Sequence, residues 1–133
     1  MAILPAVPGL TVSIRTNSGL LVEYLDPDGE NDTGEPQLSS YIEAQSGATF
    51  AVEHKFDNST FPYQVDSISC EIYLDGQYVT GSVLSAANRR ARILYNQEGT
   101  RTIDETGNWI LKRFTFSELT TGTEQWDLVQ DIN

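Results

Sequence analysis

Ile68-Ser69-Cys70-Glu71-Ile72-Tyr73-Leu74-Asp75-Gly76 decides the fold. Ile68, Cys70, Ile72 and Leu74 alternate with Ser69, Glu71 and Tyr73, a period of two that puts one apolar row inward and turns Tyr73 away from it. Asp75-Gly76 then supplies the two residues that a tight hairpin turn needs, because both accept positive φ. Tyr78 to Leu84 resumes as the returning strand.

The same period recurs outward in both directions. Leu10, Val12 and Ile14 share a face, and a turn at Asn17-Ser18-Gly19 leads into a strand over Leu20 to Tyr24. Ser40 to Ala44 is a short strand. Ala48 to Phe56 sets Phe50, Val52, His54 and Phe56 on one side against Thr49, Glu53 and Lys55 on the other. Further strands are expected over Ala91 to Tyr95, Thr100 to Asp104, Trp109 to Phe116 and Gln125 to Val129. No window of helical length carries a 3.6-residue period, and the best short helix, Ser85 to Arg92, reads better as strand or loop. Turn signals punctuate the strand candidates along the chain, among them Ser18-Gly19, Ser46-Gly47, Asp75-Gly76, Glu98-Gly99 and Thr106-Gly107. That pattern predicts an all-β fold, an antiparallel β-sandwich of jelly-roll-like type, in a single domain spanning residues 1–133.

Composition narrows the function classes. Eight basic and 19 acidic residues give a formal net charge of -11. Such a charge repels nucleic acid and anionic membranes, and favours basic tails, histone-like proteins, polyamines or cations. The one cysteine, Cys70, cannot form an internal disulfide, and with one histidine, His54, no multi-histidine metal site exists. No stretch of transmembrane length and no signal-like start is visible, so the expectation is an intracellular protein of cytoplasm or nucleus. On that expectation the sequons at Asn31 and Asn58 are chance matches.

Asp26-Pro27-Asp28-Gly29-Glu30-Asn31-Asp32-Thr33-Gly34-Glu35 interrupts the alternation and reads as an acidic surface loop over 26–36. Asp26, Asp28, Glu30, Asp32 and Glu35 are candidates for a weak cation site or for docking a basic partner, against the plainer reading of a solvated loop. The loop fails the EF-hand pattern, with Asn31 at the sixth position and Gln37 at the twelfth. Arg89, Arg90 and Arg92 form a basic cluster that could meet such a loop head to tail in an oligomer, or bind an anion, against the reading of a plain surface patch. Trp109 and Trp126 are candidate sugar-stacking platforms if exposed, although aromatics in a sandwich more often fill the core. His54 lies on an apolar strand face and reads as a structural histidine. Cys70 reads as a small core residue, and a catalytic Cys/His pair would need these two to approach across strands. No phosphate loop, serine-nucleophile elbow or metal-binding helix motif is present. No cofactor and no catalytic residue is expected.

One resemblance covers nearly the whole chain. It rests on Pro8-Gly9-Leu10-Thr11-Val12, Glu23-Tyr24 with the acidic stretch, Ser40 to Val52, Ile72-Tyr73-Leu74-Asp75-Gly76 and Phe114 to Leu119, most strongly on Tyr41 to Val52. In this order they resemble a large fungal family of intracellular β-sandwich domains of unknown function. The resemblance implies a fungal origin and a sandwich, and carries over no site residue. Members of that family usually continue past the position of Leu119 into a further strand. Here Trp126 to Val129 is either a substitute strand or the sheet exposes an edge. The expected function is a non-enzymatic protein-interaction domain, acting on a protein partner or by self-association, without nucleic acid or membrane. The alternatives are a carbohydrate-binding, lectin-like sandwich and an acidic chaperone of basic proteins with nucleoplasmin-like architecture.

Overall fold

The computed structural model describes residues 2–3, 5, 7–26, 37–61, 66–85 and 92–118. Among them every regular element is a strand: β1 (Ala2–Ile3), β2 (Leu10–Thr16), β3 (Gly19–Leu20), β4 (Glu23–Leu25), β5 (Ser40–Ile42), β6 (Thr49–Asp57), β7 (Ser67–Leu74), β8 (Gln77–Ser85), β9 (Arg92–Gln97), β10 (Gly99–Ile103) and β11 (Trp109–Thr115). All the ladders are antiparallel.

β6 organises the main sheet. One of its edges pairs with β2, matching Val12 with His54 and Ile14 with Val52. Its other edge is shared between two strands. β9 takes the stretch from Val52 to Asp57, and β11 takes Thr49 and Phe50. The chain that runs alongside β6 as β9 therefore leaves it at Glu98 and continues as β10, paired with β11 instead. Gly99 stands at this fork, buried, where a Cβ would run into the Lys112 carbonyl oxygen and lie 2.9 Å from the Arg113 Cα. Glu98-Gly99 reads as a turn in the sequence. In the structure it is a crossing, and the glycine is there for close approach of two backbones.

Smaller ladders pack on the inner face of this sheet. β7 and β8 form a hairpin whose turn residues, Asp75 and Gly76, both have positive φ (51° and 76°), as their identities predict. β4 and β5 form a second short ladder. Ile14, Phe50, Val52, Phe114 and Phe116 meet Ile72 of the hairpin in one buried cluster, with Leu21, Ile42, Leu74 and Val79 against its rim. Phe50 is stacked on Phe116, ring centroids 4.4 Å apart, and tilted against Phe114 at 5.5 Å. Two layers joined by one apolar interior make an antiparallel β-sandwich, and its sheets do not close into a barrel.

One further expectation is corrected. Leu20 to Tyr24 is not one strand. Leu20 ends β3, the Leu21 amide still bonds the Ile14 carbonyl, and the chain then crosses to pair β4 with β5. Glu53 points away from the apolar row, as its position in β6 demands, yet it is buried at 7% exposure. Its carboxylate accepts a 2.7 Å hydrogen bond from Arg15 Nε, an ion pair between neighbouring strands. Gln125 to Val129 lies outside the described residues.

Candidate functional site

Beyond the packed cluster the two layers part. The inward row of β6 continues from Val52 to His54 and Phe56, flanked by Leu10 of β2 and by Tyr95, directly opposite His54 on β9. The facing residues are Ile68 and Cys70 of β7 and Ser82 and Leu84 of β8, their direct cross-strand partners. Together they line a cavity of about 90 Å³. His54 and Phe56 are buried in its floor, Cys70 is half-buried, and exposed Tyr95 and Val83 stand at its rim. The ring of Tyr95 lies 6.4 Å from that of His54, tilted, with its hydroxyl donating to Gln97 Oε1.

His54 is the unusual residue of this wall. It is 7% exposed, and its Nδ1 is buried with no hydrogen-bond partner among the described residues. A buried polar nitrogen left unpaired costs about 1–3 kcal/mol. Burial moves the His54 pKa below its ordinary value and raises that of the Cys70 thiol above its own. The imidazole is thus held neutral and the thiol protonated, the reverse of a thiolate–imidazolium pair. The structure brings His54 and Cys70 to one cavity, as a Cys/His pair requires, but in the protonation states of core residues.

A second feature lies at the opposite extreme of exposure. The β10–β11 hairpin puts Ile103 opposite Trp109 and Arg101 opposite Leu111, so these four side chains share one face. Phe114 lies on the other face and is buried in the core, so the first face points outward. Trp109 is 71% exposed and Ile103 55%. Arg101, Trp109, Ile110 and Leu111 line a shallow depression there. The turn that presents Trp109 is well tied. One Asp104 oxygen, Oδ1, accepts from the Thr106 amide at 2.9 Å, the Thr106 hydroxyl at 2.6 Å and the Asn108 amide at 2.9 Å. These bonds hold the Asp104 carboxyl below its ordinary pKa, the Thr106 hydroxyl contributing most. Arg113 on the same strand pairs with Glu98 at 2.9 Å.

Of the residues singled out in the sequence, Trp109 is exposed as a binding platform requires. Asp26 is described at the end of its segment, its amide bonded to the Ser39 carbonyl. Asp28, Glu30, Asp32 and Glu35 of the acidic loop, Arg89 and Arg90 of the basic cluster, and Trp126 lie outside the described residues. The backbone of Arg92 opens β9, opposite Asp57. Ile103, Arg101 and Leu111 were not picked out from the sequence. Their signal was the unbroken apolar run Trp109-Ile110-Leu111, which loads both faces of a strand where alternation would load one. Among the described residues no cluster of three His, Cys, Asp or Glu side chains could hold a metal ion, and no helix is long and apolar enough to cross a membrane.

The chain belongs to a family of domains of unknown function, DUF7918, whose model matches residues 9–131. No curated protein and no solved structure matches it.

Proposed function

We propose that this β-sandwich is a non-enzymatic interaction module, and that the outward face of the β10–β11 hairpin is its contact surface. The observation that carries this reading is Trp109, exposed beside Ile103 and Leu111 on a hairpin whose turn is fixed by Asp104. A large aromatic presented to water beside a well-tied turn, with apolar neighbours and an arginine, is the composition of an interface hot spot. The same face also carries Arg101 and Arg113, two of the eight basic residues of an acidic chain, Arg113 paired with Glu98. A partner that offers an apolar patch with carboxylates at its rim fits this face, and a second copy of the acidic chain is one such partner. A protein partner or self-association, without nucleic acid or membrane, and the fungal, intracellular setting that the resemblance implies all belong to this proposal.

Carbohydrate binding is the second reading, and the depression lined by Arg101 and Trp109 favours it: a sugar ring can stack on the indole while the guanidinium donates to its hydroxyls. One pair of variants tests both. Trp109→Lys and Leu111→Glu are expected to retain the wild-type melting temperature, because neither side chain is in the core. Partners co-purified by the wild type, and any concentration-dependent self-association, are expected to be lost in both variants. A partner set and oligomeric state unchanged in both would overturn the interaction reading. Glycan-array binding that depends on Trp109 would transfer the face to the carbohydrate reading.

A further inference from the structure

We infer that the cavity between β6, β7, β8 and β9 is a binding site for a small neutral molecule, apolar except for one hydroxyl, which hydrogen-bonds to the His54 imidazole. The inference is independent of the hairpin reading, because the cavity and the Trp109 face share no residue.

Three observations carry it. The first is the lining: Leu10, Phe56, Ile68 and Leu84 offer hydrocarbon, so water gains little by entering and an apolar group gains by leaving water. The second is the imidazole. His54 is more than nine-tenths buried, and among the lining side chains it alone carries a ring nitrogen able to donate or accept. A neutral imidazole nitrogen is a donor or an acceptor according to tautomer, and a hydroxyl complements either. The third is size. A dry cavity of about 150 Å³ takes the six carbons of benzene. In proportion, the 90 Å³ here takes about four non-hydrogen atoms, with room for one or two more towards the rim at Tyr95 and Val83. The ligand class is therefore a compact alcohol of about five or six non-hydrogen atoms. A charged ligand is excluded by the same wall, since no described side chain lining the cavity carries a charge while His54 is neutral.

The sequence supplies its own reporters. The chain contains one histidine and one cysteine, and both line this cavity. Cyclopentanol and cyclopentane serve as probes that differ by the hydroxyl. In the intact wild-type chain, cyclopentanol is expected to shift the His54 imidazole nitrogen resonances saturably. It is also expected to slow alkylation of Cys70 by N-ethylmaleimide over the same concentration range. In His54→Leu, which keeps an apolar side chain of similar bulk, the preference for cyclopentanol over cyclopentane is expected to fall by about fivefold or more, one net hydrogen bond. Either of two results would overturn the inference: no saturable shift of the imidazole in the wild type, or an alcohol preference unchanged in His54→Leu. The wild-type titration stands by itself if the variant fails to fold.

Discussion

Gly99→Ala is the substitution through which the fork in the main sheet can be tested. An alanine there keeps its backbone angles, because Gly99 is not among the residues with positive φ. The difficulty is space. The new methyl would overlap the Lys112 carbonyl oxygen and sit 2.8 Å from the Lys112 carbonyl carbon, all of it backbone. Ordinary contact needs roughly 3.5 Å or more, so β10 and β11 would have to part by about 1 Å. The opening would strain the hydrogen bond from the Phe114 amide to the Glu98 carbonyl, now 3.0 Å, and the ladder bonds of the next pair, Thr100 and Lys112. One or two hydrogen bonds at about 1 kcal/mol each, with about 1–3 kcal/mol for overpacking, put the cost near 3 kcal/mol. For a chain of this size that is a fall in melting temperature of roughly 10 °C. Gly107→Ala is the matched control: φ there is 85°, and nothing lies within 4 Å of the added carbon. It is expected to cost about 1 kcal/mol, through backbone conformation alone. Thermal unfolding followed by circular dichroism distinguishes the two. Equal losses for Gly99→Ala and Gly107→Ala would refute the close approach of the two backbones.

Three further outcomes are expected. Arg15→Ala strands the buried Glu53 carboxylate and should destabilise by about 1–3 kcal/mol, discounted because Arg15 is 42% exposed, while Arg15→Leu with Glu53→Leu together should recover most of it; chemical denaturation measures both. Phe50→Ala removes a ring packed against Phe114 and Phe116 and should cost about 3–5 kcal/mol by the same assay. His54 has a folded pKa depressed by burial, so the unfolded chain binds the proton more readily. The stability that the neutral imidazole confers is present above its unfolded pKa and is lost as pH falls below it. The wild type should therefore lose stability relative to His54→Leu as pH falls below about 6.5, and parallel curves through that range would refute the burial of a neutral imidazole.

What was legible in the sequence depended on whether one strand carried its own information. β6 and β7 did. Phe50, Val52, His54 and Phe56 are all buried, and Ser69 and Glu71 are exposed, because alternation within a strand fixes which face each side chain joins. Asp75-Gly76 did too, since the turn chemistry is local. Glu53 was not legible as a buried group. Its burial and its ion pair depend on Arg15 arriving on β2, a partner that no local pattern names. The fork at Gly99 hid for a similar reason: a glycine needed for a turn and a glycine needed for close approach are the same letter. The cavity was half visible. The sequence suggested a meeting of His54 and Cys70 across strands, but not that Tyr95 would cover them or that Nδ1 would lack a partner.

The shared edge of β6 has a consequence for how the chain comes to its structure. The β7–β8 and β10–β11 hairpins join neighbouring segments, and each closes a short loop. β6 can close none. Its partners β2, β9 and β11 come from both ends of the described chain, and two of them must divide one edge between them. Contacts so distant in sequence demand most of the loop-closure entropy before they return any stabilisation. The hairpins are thus placed to form early, and the rate-limiting event is the arrival of β6 among its three partners. Substitutions in the β10–β11 turn should therefore slow folding with little change in unfolding, whereas those in β6 should divide their effect between the two rates.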